Sequence, residues 1–127
     1  MERYSLPADG DAVFPYSQAV RDGDLIFVAG QLASDSSDWH GPAGDIEAET
    51  RAAMDRIGAI LAQAGASFAD VLKVTIFMTD LTLFARMNAV YASYFPDGLP
   101  ARTTVGVASL LNDGMIEIEC IARRRRP

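Results

Sequence analysis

The sequence predicts an α+β two-layer sandwich, with two helices packed on one face of a mixed β-sheet. Two stretches repeat apolar residues at three- and four-residue steps. Several shorter ones alternate apolar with polar residues, and turn-forming residues separate them. In chain order, SQAVRDGDLIFVAGQ reads as two strands joined at Asp22-Gly23, a dipeptide suited to a type I′ hairpin. A polar Gly/Ser-rich loop runs from about Ser34 to Gly44. Asp45 can then cap a helix carrying Ile46, Ala53, Ile57, Ile60, Leu61 and Ala64 on one side, with Gly65 placed to stop it. In VLKVTIFMT, Val74, Ile76 and Met78 alternate with Lys73, Thr75 and Phe77, which marks a strand. Asp80 can cap a second helix with Phe84, Met87, Tyr91 and Phe95 on one side, ended by Pro96-Asp97-Gly98. Two last strands, Arg102 to about Ser109 and Met115 to about Arg123, flank Asn112-Asp113-Gly114.

Two helices cover one face of such a sheet, so the other must be polar or buried against another chain. Strand parity separates Arg102, Thr104 and Gly106 from Thr103 and Val105, and Glu117, Glu119 and Ile121 from Ile116, Ile118 and Cys120. The expected second face combines Arg102 and Thr104 with Glu117 and Glu119, a mixture suited to a wet interface or a ligand cleft. A homo-oligomer is the expectation.

Composition excludes other classes. The 127 residues predict a single domain, 1–127, with a core over about 16–122 and a basic tail at 123–127. Half the residues are apolar and 22% charged, as in an ordinary globular protein. No apolar run approaches the roughly 20 residues of a spanning helix. The acidic start MERYSLPADGD lacks the pattern of a secretory signal, and Cys120 is the one cysteine, so the expected location is cytoplasmic. Eleven basic against 17 acidic residues give −6; without Arg123, Arg124, Arg125 and Arg126 the balance is −10. So acidic a body repels nucleic-acid backbones, and the RRRR tail reads as a solvated end. One histidine and one cysteine cannot build a His/Cys zinc cluster. No metal or cofactor is expected, since no GxGxxG or P-loop sequence appears. His40 sits in the polar loop SDSSDWHGPAGD and reads as solvated, and Cys120 falls on the apolar side of its strand, where it reads as buried and inert.

The stretch from Tyr16 to Ala122 resembles the RidA/YjgF family of reactive-intermediate (enamine/imine) deaminases. The resemblance rests on PYSQAV, VAGQL, GDIEAETRAAMDRIGAILAQAG, VLKVTIFMTDLTLFARMNAVYASYFP, PARTTVGVASL and IEIECIA, in that order. It implies the chorismate-mutase-like fold, in which the last two strands are not neighbours, and homotrimers with clefts between subunits. It also implies cofactor-free hydrolysis of 2-imino or 2-enamino acids, such as 2-aminoacrylate/2-iminopropionate, to 2-oxo acids and ammonia. By the same resemblance, Arg102 grips the substrate carboxylate through paired charge-assisted hydrogen bonds, and Glu117 positions or deprotonates the attacking water. Thr104 stands where many deaminating members have cysteine, and offers a hydroxyl beside the reacting centre. Tyr16, Gly30, Phe84 and Asn88 match positions lining the cleft, and Glu119 reads as a solvated charge. Phe14 stands where many relatives have glycine, and Leu110-Leu111 where many have Leu-Pro; both touch the rim, as does the Trp39 loop. The alternatives are a non-enzymatic trimer that binds small carboxylates or regulates other proteins and, less favoured by charge, an endoribonuclease.

Overall fold

The computed structural model describes residues 1–10, 14–42 and 44–125. Its regular elements are β1 (Glu2–Tyr4), β2 (Ala19–Asp22), β3 (Leu25–Gln31), α1 (Ile46–Gln63), β4 (Val71–Met78), α2 (Phe84–Ala92), β5 (Ala101–Gly106) and β6 (Ile116–Arg123). The strands form one six-stranded sheet in the order β1-β2-β3-β6-β4-β5. Only β4 and β5 run parallel. The last two strands are thus separated by β4. None of the described helices is long and apolar enough to cross a membrane.

Local chemistry explains the element boundaries. Asp45 caps α1, its carboxylate accepting a hydrogen bond from the Ala48 N–H at 3.0 Å, and Gly65 follows the helix at φ +85°. Asp80 accepts from Thr82 N–H at 2.9 Å and so opens a short turn ahead of α2. The helix proper begins only at Phe84 and ends at Ala92, so Phe95 lies beyond it. The hairpin differs from the expectation. Asp22 pairs with Leu25, so the turn residues are Gly23 and Asp24. Of these only Gly23 has a positive φ, at +62°, which is the type II′ pattern with glycine first. Strand β5 also stops at Gly106, three residues short of the expected end.

The core lies between the helices and one sheet face. Ile26, Val28, Val74, Ile76, Met78, Ile116, Ile118 and Cys120 project from the strands onto Met54, Ile57, Ile60 and Leu61 of α1 and Met87 and Tyr91 of α2. Cys120 is free and buried, and burial pushes its thiol up to about 12, as befits an inert core residue.

A buried ion pair ties the loops to this layer. Arg56 of α1 is 5% exposed. Its Nη1 and Nη2 donate to the two Asp9 carboxylate oxygens at 2.9 and 3.1 Å, and its Nε donates to Gln31 Oε1 at 2.7 Å. Nη1 also reaches Ser36 Oγ at 3.1 Å, and Gln31 Nε2 donates to Gln18 Oε1 at 2.9 Å. One guanidinium thus joins the N-terminal segment, the turn after β3 and the end of β3 itself. Trp39 packs on Gly41 and lines a surface groove with Leu6, Ala52 and Arg56. We expect Arg56→Met to cost about 3–5 kcal/mol, because it leaves the Asp9 carboxylate buried without its cation. Chemical denaturation measures this, and adding Asp9→Leu is expected to restore most of the loss.

Candidate functional site

The expected site residues fall into two groups, and the sheet separates them. Arg102 pairs with Val74 and Thr104 with Ile76 across the parallel β4–β5 contact. Glu117 pairs with Phe77, and Glu119 with Thr75, across the antiparallel β4–β6 contact. Val74 and Phe77 are three residues apart on one strand and so face opposite ways. Arg102 and Thr104 therefore lie on the helix-covered face, while Glu117 and Glu119 lie on the open one with Thr103 and Val105. The expectation that all four share the open face is wrong. The reason is positional: β5 is an edge strand near the limit of helical cover, so its inward residues Arg102 and Thr104 are only half-buried and accept polar character.

The first group surrounds the Arg102 guanidinium. Its central carbon lies 4.8 Å from the centre of the Tyr91 ring and 5.3 Å from that of Phe84. Phe84, Asn88 and Tyr91 occupy one side of α2 at four- and three-residue spacing. Phe84 is 40% exposed, so it is no core residue. A cavity of about 330 Å³ opens beside them, lined by Asn88, Tyr91, Ala92, Leu99, Pro100 and Arg102. Among the described residues, no hydrogen bond or ion pair holds the guanidinium. Three oxygens here are buried without a partner: Asn88 Oδ1, the Tyr91 hydroxyl and Thr104 Oγ1. Buried polar atoms are normally satisfied; Asn88 and Tyr91 line the cavity with the unpaired cation, and Thr104 lies two residues from Arg102 on the same strand face, so the group is a candidate place for a polar ligand. Burial pushes the Tyr91 hydroxyl up to about 12, so it remains neutral.

The second group gathers at the Glu117 carboxyl. A Cβ added to Gly30 would lie 2.8 Å from Glu117 Cδ, so the missing side chain makes room for the carboxyl group itself. Tyr16 is 47% exposed, and its ring stands 5.3 Å from that of Phe14. Burial raises the Tyr16 hydroxyl, and the charges of Asp35 and Glu117 raise it further. Burial also raises the Glu117 carboxyl above its ordinary value, assisted by Asp35 and Glu119. Glu119 is exposed, as expected of a solvated charge.

Sequence reasoning placed Tyr91 on the apolar side of the second helix, where it is buried, but did not see it beneath Arg102, and it overlooked Asp35. The spacing Phe84, Asn88, Tyr91 held the signal for the first, since an asparagine between two aromatic residues on one helix side implies a polar environment there. No sequence signal connects Asp35 with Glu117.

Comparison with known proteins supplies the class. Residues 8–124 match the family described as Endoribonuclease L-PSP. The chain belongs to this family, known also as the YjgF/RidA family. It is 48% identical over 108 residues to a RutC family protein of Pyrococcus abyssi, covering 85% of each chain. It is 40% identical over 111 residues to a 2-iminobutanoate/2-iminopropanoate deaminase of Bos taurus, covering 87% of this chain and 81% of that one. The crystal structure of E. coli TdcF with bound serine superposes with a TM-score of 0.89 at 34% identity, covering 98% of this chain and 100% of that one.

The raised Glu117 carboxyl carries a stability consequence. An acid whose folded value exceeds its unfolded one holds extra protons in the folded state between the two values. Its favourable contribution is complete below the ordinary 4.5 and is lost as pH rises through the raised value. We therefore expect Glu117→Gln to melt above wild type at neutral pH, with the gap closing on acidification toward 4.5. Melting temperatures across that range test it.

Proposed function

We propose that this protein hydrolyses small 2-imino or 2-enamino acids to 2-oxo acids and ammonia, without a metal or organic cofactor. We also propose that it does so as a homotrimer. Each cleft would then combine the Arg102 group of one chain with Glu117 of the partner subunit, since one chain holds the two on opposite sheet faces. The observation that carries the reading is the half-buried, unpaired Arg102 beside a cavity and three unpartnered oxygens. The bovine relative, a 2-iminobutanoate/2-iminopropanoate deaminase, and the serine bound to TdcF support the same ligand class, a small molecule with a carboxylate next to a nitrogen-bearing carbon.

The chemistry follows from these parts. Arg102 receives the carboxylate through two parallel charge-assisted bonds, which fixes the C2 atom. A water held by Glu117 attacks C2 of the protonated imine. The C–O bond forms, the C=N electron pair moves to nitrogen, and Glu117 takes the proton of the water. Returned to nitrogen, that proton lets ammonia leave as the C–N bond breaks and the hydroxyl electrons form the new C=O. The hydroxyl proton leaves with water. Thr104 and Asn88 offer oxygens to the nitrogen or to the water, while Tyr16 and Gly30 border the carboxylate that acts as base. An iminium carbon is already electrophilic, so orientation and one proton transfer suffice. Ribonuclease activity is disfavoured by the charge, because 17 acidic against 11 basic residues repel a phosphate backbone.

An amino-acid oxidase generating 2-imino acids in the presence of semicarbazide tests the reading. Wild type is expected to divert imine from the trap to oxo acid, and Arg102→Ala is not. No diversion by wild type from any amino acid would refute it. Gly30→Ala is a second test. The flexible Glu117 carboxyl must move, so we expect an intact fold, a kcat lower by about a hundredfold and a nearly unchanged KM.

A further inference from the structure

Among the described arginines that are not fully exposed, Arg21 and Arg56 are held by the carboxylates of Glu2 and Asp9, and Arg102 is held differently. Acidic residues outnumber basic ones, 17 to 11, and other arginines find carboxylates: Arg56 with Asp9, Arg86 with Glu47, Arg125 with Asp70. Arg102 has none among the described residues. Its contacts are two aromatic rings, Tyr91 at 4.8 Å and Phe84 at 5.3 Å. These rings are not equivalent. Tyr91 is 3% exposed and packs at 4.9 Å against Phe95, whereas Phe84 is open to solvent at 40%. Tyr91 is therefore the immobile member, a rigid platform anchored in the core.

We infer that Tyr91 is the positioning residue for Arg102, acting through its ring face, with Phe84 as the outer half of an aromatic bracket around the guanidinium. The inference rests on Arg102 being the carboxylate grip. A carboxylate partner could orient Arg102 equally well, but it would occupy the fork and compete with the ligand. An aromatic face attracts the cation through its quadrupole and uses none of the five N–H donors. The bracket thus fixes the direction of the guanidinium and leaves every donor available. It also removes the rotational freedom that a long side chain would otherwise lose on binding, so its effect belongs in ligand affinity and KM rather than in kcat.

The test varies the electron density of the ring while keeping its shape. Calorimetric affinity for 2-oxobutanoate and imine-diversion kinetics are measured for wild type, Arg102→Ala, Tyr91→Phe, and a chain carrying a ring-trifluorinated phenylalanine at position 91. Tyr91→Phe keeps the ring and removes only the hydroxyl, so it is the reference against which the fluorinated chain is read, whatever the hydroxyl itself contributes to binding. Draining the quadrupole in the fluorinated chain is expected to weaken binding about fivefold to tenfold relative to Tyr91→Phe, the size of one partly desolvated cation–π contact. KM should rise in parallel with little change in kcat. Equal affinities in the Phe and fluorinated chains, with Arg102→Ala failing to bind, overturn the bracket and leave the proposed function standing. If Arg102→Ala binds as wild type does, the carboxylate grip fails, and the bracket with it.

Discussion

Strand β4 imposes the constraint on which the rest depends. Its residues alternate strictly between the two sheet faces from Lys73 to Met78, and both neighbours are locked to it residue by residue. Val74, Ile76 and Met78 must meet the helices, so Arg102 and Thr104 are carried to that side by parallel pairing. Phe77 must then look outward, and Glu117 with it. A shift of one residue in either pairing would exchange every side chain between core and solvent. The apolar layer thereby enforces the register that separates the two charged groups. Neither half of the site can move to the other face without dismantling the core.

The separation also has an electrostatic meaning. The Arg102 group is positive and lacks an acid partner, while Glu117 lies near Asp35 and Glu119, which raise its carboxyl alongside the larger effect of burial. Each group on its own is uncompensated. A protonated 2-imino acid is itself dipolar, with a negative carboxylate at one end and positive charge on the carbon–nitrogen bond. In the proposed trimer, a cleft made from one group of each sign would match that dipole. It also disfavours dianions and simple cations, since each would meet one group of like charge.

Much of this fold was legible in the sequence. The apolar spacing from Ile46 to Ala64, the Asp45 cap and the alternation in β4 all express local physics that the residues carry with them. What escaped depended on distant partners. Strand β1 has three residues, too few to show a period, and exists because Arg3 pairs with Val20. The pairing of Arg56 was not legible, since nothing near it in sequence reveals that Asp9 lies 47 positions away to neutralise it. The facing of Arg102 was misjudged because parity within a strand says which residues share a side, but not which side meets the helices. The candidate site residues were named from the motifs around Tyr16, Gly30, Arg102 and Glu117. Their division into two groups required the register of β4.

The position of β6 in the sheet bears on how the protein is made. This strand comes last among the described elements, yet it sits between β3 and β4, with Ile116, Ile118 and Ala122 fully buried. Until the ribosome has delivered it, the β1–β2–β3 meander and the β4–β5 pair have no common neighbour, and α1 faces a divided sheet. Between the synthesis of β4 and that of β6 the nascent chain thus has two strand edges awaiting a partner, a condition that favours association with other chains. Closure of the sheet therefore waits on β6, which joins the two halves by pairing with β3 on one side and β4 on the other.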